Sequence, residues 1–152
     1  MELEKAIKQA KPFESPFQKV AVNLIYTNSW LETRMKTFFT QFGLTSKQYN
    51  IMRILNGAGK PVSVAFIRNR LIEKLSDVSR LIDRMDTKGF VKKETSQVDK
   101  RLVDIVLTNK GLQLLAQVNS RIKILDNVFS NLNLEEINRL NELLDKLRIN
   151  KY

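Results

Sequence analysis

Two short groups of polar side chains carry most of the chemistry this sequence can offer. The first lies in the stretch SDVSRLIDRMDTKG, where Ser76 and Asp77 precede Ser79, Arg80 and Arg84. An arginine presents a planar fork of N–H donors that fits a pair of acceptors, such as two phosphate oxygens or the O6 and N7 edge of guanine. The second group is Asp99, Lys100 and Arg101, at the end of the polar loop SQVDKR. Two adjacent cations on such a loop can reach a phosphate backbone, and Lys74, just ahead of the first group, offers a further cation of the same kind. Taken alone, Asp99 reads as a turn residue that bonds its own backbone.

These groups need elements to hold them. Val78, Leu81, Ile82 and Met85 fall at i, i+3, i+4 and i+7, one stripe of a helix whose opposite side carries Ser79, Arg80, Asp83 and Arg84. Ser63 caps a helix just before it. After it come two strands, Phe90 to Thr95 and Leu102 to Leu107, joined by the SQVDKR loop. The order helix, helix, hairpin from Ser63 to Gly111 is the outline of a winged helix-turn-helix. Lys92 and Lys93 alternate faces of the first strand, so at most one of them points the way the loop does.

The flanks read as helices with marked boundaries. Ser15, Pro16 and Gln18 open a long helix that ends near Gly43, with Phe17, Ala21, Leu24, Leu31, Met35, Phe38 and Phe42 repeating along it. Thr45 and Gln48 start the next, which carries Tyr49, Met52 and Leu55 and is expected to stop at Asn56 and Gly57. Beyond Thr108, one helix is expected through Leu115, Val118, Ile122, Leu125, Phe129 and Leu132, and Asn133 with Glu136 starts a last one. That 3,4 spacing is a seam seeking a partner helix. Three amphipathic helices around a small reading segment suggest apolar surface kept for a second copy, hence a homodimer.

Composition removes other functions. The 152 residues, 43% hydrophobic, suit one domain with a sizeable core. There is no cysteine and no histidine, so disulfides and thiol switches are excluded and the commonest metal ligand and general base are missing. No Gly-rich phosphate loop or metal-ligand spacing accompanies the Ser, Thr and Lys residues, so an enzyme is the least favoured class, with no catalytic residue, cofactor or metal expected. No apolar run resembles a signal peptide or a membrane span, and a soluble cytoplasmic protein is expected. The net charge of +10 favours a polyanionic partner. Its distribution is uneven: Lys and Arg number 8 against 4 Asp and Glu before Lys60, 12 against 7 from Lys60 to Gly111, and 6 against 5 afterwards. A basic surface that only keeps the chain in solution is an equal reading of charge alone.

With these residues in view, a family resemblance is plain. LTSKQYNIMRIL, the helix pair ending in SDVSRLIDRMDTKGFV, and VDKRLVDIVLTNKG resemble the MarR family of bacterial transcription regulators, closely over Leu44 to Leu115 and more loosely in the flanking helices. Asp99 and Arg101 match the family's D-x-R wing, and Leu107, Thr108 and Gly111 its L-T-x-x-G helix start. The chain departs from the pattern at LIEK, Leu71 to Lys74, where many members have a glycine-containing turn. The resemblance implies a mainly α fold with a small antiparallel β wing, divided into an N-terminal dimerisation helix region (1–43), a winged helix-turn-helix DNA-binding domain (44–111) and C-terminal dimerisation helices (112–152). It implies a dimer with intertwined first and last helices that binds a pseudo-palindromic operator in double-stranded DNA, usually as a repressor and often released by a small ligand.

The resemblance also distributes roles. Ser76 begins the recognition helix, as N-cap or phosphate contact; Arg80, ahead of Arg84, meets base edges, and the alternative for Arg84 is an ion pair with Asp83 or Asp86. Asp77 favours the helix dipole or accepts from a cytosine amino group. Arg101 enters the minor groove or clamps a phosphate, with Asp99 orienting it or pinning the wing to the body. Lys74 and Lys100 make unspecific phosphate contacts. A ligand pocket is expected where the long amino-terminal helix meets the reading segment, with Tyr26, Trp30, Arg34, Tyr49 and Arg53 offering aromatic walls and cationic or hydroxyl handles for a phenol or carboxylate; core packing is the alternative for the rings. Family members that sense oxidants use cysteine and those that sense zinc use histidine with carboxylates, and neither residue type occurs here. Two further classes stay open: a winged helix that binds nucleic acid without operator choice, and a module that binds another polypeptide.

Overall fold

A computed structural model describes residues 2–73, 77–97 and 99–149. A short helix α1 (Leu3–Ala6) precedes the long α2 (Pro16–Thr40), which starts at Ser15, whose hydroxyl accepts from the Gln18 N–H at 3.1 Å. Gln18 reaches one residue further back than a capping box requires, to the Glu14 N–H. Helix α2 stops at the turn through Gly43, whose φ of +66° is one that residues with a Cβ rarely adopt. Thr45 and Gln48 form a complete capping box at the start of α3 (Ser46–Ala58). Contrary to expectation, α3 runs through Asn56 and Gly57. The left-handed residue that ends it is Gly59, at φ +63°.

Strand β1 (Val62–Ser63) leads at once into α4 (Val64–Arg70), capped by Ser63. Then come α5 (Val78–Thr87), β2 (Val91–Thr95) and β3 (Val103–Leu107). The sheet order is β1-β3-β2, antiparallel throughout, with Val62 opposite Ile105 and Lys93 opposite Ile105 on the other side. The sequence reading contained only the hairpin; two residues of β1 are too few to show an alternation. Helix α6 (Asn109–Arg121) is capped by Thr108 and passes into a 3-10 stretch over Ile122–Phe129 instead of the single α-helix expected. Its side chains therefore turn at three residues per turn, and the 3,4 seam is not one straight stripe. Asn133 and Glu136 form the capping box of α7 (Leu134–Leu147).

The core lies under the reading segment. Val78, Leu81, Ile82 and Met85 of α5 are all buried, against Phe38 and Phe39 of α2, Ile51, Met52 and Leu55 of α3, Ile67 of α4, Val91 and Ile105 of the sheet, and Leu115 and Val118 of α6. The other ends of the frame are bare. Helix α7 has no buried residue, and Phe17 and Ile25 in the first half of α2 are 80% and 72% exposed. No helix among the described residues is long and apolar enough to cross a membrane.

Candidate nucleic-acid interface

Because α5 buries one stripe, its other side is fixed in direction. At 100° per residue, Arg80, Asp83 and Thr87 stand opposite the stripe, with Ser79 on one flank and Arg84 on the other. Ser79, Arg80, Asp83 and Arg84 are all exposed. Neither Arg80 nor Arg84 has an ion-pair partner among the described residues. The pairing of Arg84 with Asp83 or Asp86 does not form. Asp83 instead accepts from the Lys93 ammonium of β2, and Arg84 borders a hollow at the α2–α3 corner with Thr40, Leu44 and Gln48. Asp83, with Asp86 nearby, holds the Lys93 ammonium above its ordinary value.

Asp77 occupies the N-cap position of α5 but makes no side-chain capping bond. Its charge acts instead on Lys47 at the start of α3, whose ammonium pairs with Glu73 at 2.8 Å and is raised above its ordinary value chiefly by that bond. Lys74 and Ser76 lie outside the described residues.

The loop between β2 and β3 is organised by one carboxylate. Asp99 Oδ1 accepts from the Arg101 backbone N–H at 3.0 Å and from Nε at 3.1 Å, while Oδ2 accepts from Nη2 at 3.2 Å. The Leu102 N–H closes the turn onto the Asp99 carbonyl at 2.8 Å. Asp99 is therefore at once a turn residue bonding the backbone and the partner of the Arg101 guanidinium through two parallel N–H···O bonds, and these bonds stay within the loop and do not run to the body of the domain. The Arg101 guanidinium, with the backbone N–H second, keeps the Asp99 carboxyl below its ordinary value. The Arg101 side chain is 89% exposed, and three of its five N–H donors stay open. Lys100 is exposed beside it, without an ion-pair partner among the described residues. Lys92 pairs with Glu94 two residues on, so both strand lysines are engaged and neither is a free cation.

The hairpin is fixed at its base. Thr108 Oγ1 donates to the Gly89 carbonyl at 2.6 Å and accepts from the Gly111 N–H at 3.0 Å. A Cβ on Gly111 would lie 2.1 Å from the Phe90 carbonyl oxygen, so only glycine lets α6 pack this close to the start of β2. Leu107, Thr108 and Gly111 thus have a mechanical reason for their spacing.

The five residues expected to line one pocket are divided between two faces of α2. Tyr26, Trp30 and Arg34 border a hollow of about 680 Å³ with Leu3 of α1 and Lys19, and the Arg34 guanidinium lies 3.8 Å over the Trp30 ring. Tyr49 and Arg53 border another, of about 470 Å³, with Leu31 and Met35 of α2 and Leu71, Ile72 and Glu73 of the turn after α4. Tyr49 is largely a core residue: its ring packs 4.8 Å from that of Phe39 and its hydroxyl donates to Asn119 Oδ1 at 2.9 Å. On α2, Tyr26, Trp30 and Arg34 share one face while Asn28, Leu31 and Met35 share the other, and only the second borders the hollow of Tyr49 and Arg53.

Sequence reasoning passed over Arg68 and Arg70. Both are exposed in the last turn of α4, and the Arg70 guanidinium lies 3.6 Å over the Phe66 ring. The i, i+4 spacing of Phe66 and Arg70 was the available signal.

Comparison with known proteins agrees with this architecture. Residues 42–102 match the family model described as MarR family. The HTH-type transcriptional regulator MgrA of Staphylococcus aureus is 32% identical over 127 residues, covering 83% of this chain and 79% of that protein. Among solved structures, the organohalide-sensing regulator RdhR-CbdbA1625 in its 2,4-dichlorophenol-bound form superposes with a TM-score of 0.82 at 20% identity, covering 92% of this chain and 86% of that one. A mutant MarR from E. coli in complex with operator DNA gives 0.78 at 20% identity, covering 98% and 100%. The two structures share the fold, and the relative shares the sequence over most of both chains: the chain belongs to the MarR family of winged helix-turn-helix transcriptional regulators.

Proposed function

We propose that the protein is a cytoplasmic repressor that binds a pseudo-palindromic operator as a homodimer, with α5 in the major groove and the β2–β3 loop at the flanking minor groove. The observation that carries the reading is the exposed Arg101 side chain held by Asp99, a cation fixed in direction before any partner arrives. Pre-ordering lowers the entropy lost on contact, and an arginine so held suits a narrow, electronegative minor groove. Arg80 is the base-reading residue and Arg84 a flanking one. Ser79, Lys74 and Lys100 contact phosphate, as does Ser76 by the family pattern; Asp77 stands at the N-cap position of α5, where its charge favours the helix dipole. The operator-bound relative supports the same use of the fold, which in that protein engages operator DNA.

Pairing of two chains follows from the bare frame. Residues 1–43 and 112–152 carry Phe17, Ile25, Leu134 and Leu147, each at least 60% exposed in one chain, and a second copy covers them. A small aromatic or carboxylate effector is the third element of the reading. RdhR-CbdbA1625 binds 2,4-dichlorophenol, and here the hollow beside Tyr49 and Arg53 borders the turn leading to α5. The test is selection of bound duplexes from a random pool at physiological salt. An inverted repeat with half-sites about one helical turn apart is expected. Recovery of no preferred sequence would refute operator reading and leave unspecific binding or a polypeptide partner.

A further inference from the structure

Asp83 is an odd residue on the outermost face of a helix read as facing DNA. It lies three residues after Arg80 and next to Arg84, and i, i+3 is the spacing at which a carboxylate and a guanidinium on one helix meet. Yet no such pair forms: both arginines are without an ion-pair partner among the described residues, and the carboxylate turns aside to Lys93 of β2. Lys93 is placed for this by register. It stands opposite Ile105, whose side chain is buried, so it lies on the sheet face that packs on α5. Its neighbour Lys92 lies on the other face, with Glu94.

We propose that Lys93 is a specificity-positioning residue: by holding the Asp83 carboxylate on the wing side of α5, it keeps Arg80 out of an intrahelical ion pair and free to meet a base edge. The inference rests on the operator-reading function above. Lys93 acts through Asp83 and Arg80 and does not itself touch DNA. The ion pair also joins α5 to β2, the strand that leads into the loop carrying Arg101.

The experiment is a double-mutant cycle on the full chain: Lys93→Met, Asp83→Asn and both together, with Lys93→Arg as the conservative control. Each is titrated against a duplex selected by the wild-type protein and against a shuffled duplex of equal length, at several salt concentrations, with thermal unfolding measured alongside. Lys93→Met is expected to lower the selected-to-shuffled ratio about fivefold, the lower end of one bidentate arginine–guanine contact. Adding Asp83→Asn, which removes the competitor for Arg80, restores the ratio, and Lys93→Arg keeps it. If Lys93 contacts phosphate, the double mutant stays weak on both duplexes and the salt slope falls by about one, which overturns the proposal. A loss that tracks thermal stability instead, with no recovery in the double mutant, overturns it as well. If the wild-type protein does not discriminate the two duplexes, the operator reading falls and this inference with it; discrimination without rescue refutes the inference alone.

Discussion

Two glycine-to-alanine substitutions should move stability in opposite directions, for reasons written in the backbone. In Gly111→Ala the new Cβ lies 2.1 Å from the Phe90 carbonyl oxygen and 3.2 Å from Leu107 Cδ2. Carbon and carbonyl oxygen settle at about 3.3 Å, so α6 and the start of β2 must part by about 1.2 Å. The obstacle is backbone and cannot swing aside. Parting strains the Thr108 N–H bond to the Phe90 carbonyl, 3.1 Å long, and the Thr108 hydroxyl bond to Gly89. Overpacking of this kind costs about 1–3 kcal/mol, and weakening one hydrogen bond adds about 0.5–1.5 kcal/mol. Alanine's better helix propensity returns at most about 1 kcal/mol. The net loss is about 1–3 kcal/mol, a fall in Tm of roughly 2–4 °C for each kcal/mol. Gly57 lies inside α3 with nothing within 4 Å of an added Cβ, so Gly57→Ala should gain about 0.5–1 kcal/mol. Urea unfolding at one fixed protein concentration reads both, since the stability of the proposed dimer would depend on concentration. Gly111→Ala as stable as wild type would refute the reasoning.

Other outcomes follow from the same geometry. Arg80→Ala should cost about 1–3 kcal/mol on the selected duplex and little on a shuffled one, whereas Lys100→Ala should weaken both alike and lower the salt slope by about one; equal losses for Arg80→Ala on both duplexes would remove its base-reading role. The Asp99 carboxyl is held below its ordinary value, so its bond to Arg101 is fully present above the ordinary carboxylate range and is lost only as pH falls through the lower folded value. With no histidine in the chain, operator affinity should be flat between about pH 6 and 8, checked by fluorescence anisotropy; a steep change there would contradict the assignment. Replacing Leu147, 60% exposed on α7, by Glu should dissociate the proposed dimer in sedimentation while leaving the winged segment folded by far-UV circular dichroism; an unchanged sedimentation coefficient would contradict an interface at α7.

Much of the fold was legible because its signals are local. The caps at Ser15, Thr45, Ser63, Thr108 and Asn133 are all made, and the α5 stripe is buried as its 3,4 spacing predicts. What escaped depends on distant partners. Strand β1 exists only because β3 passes beside it, and the seam after Arg121 tightens into a 3-10 turn, a choice that apolar spacing does not encode. For the site, the exposure of Arg80 and Arg101 follows from periodicity and loop composition. The choice of Lys93 over Arg84 as the partner of Asp83 does not, because it requires knowing which strand lies against the helix. The division of the five pocket residues between two hollows escaped on the same ground, because it requires knowing which face of α2 lies against α3.

Strand β3 ends at Leu107 and α6 starts at Asn109, with Thr108 alone between them and bonded to Gly89. A single joint residue leaves no slack. The base of the hairpin is therefore tied to the start of α6 through the Thr108 bond to Gly89 and the close approach of Gly111 to Phe90. In the proposed pair of chains, the distance between the two Arg101 tips would then be set by the angle at which the long helices cross. A change of a few degrees in that crossing alters the span between the tips while each hairpin keeps its own shape.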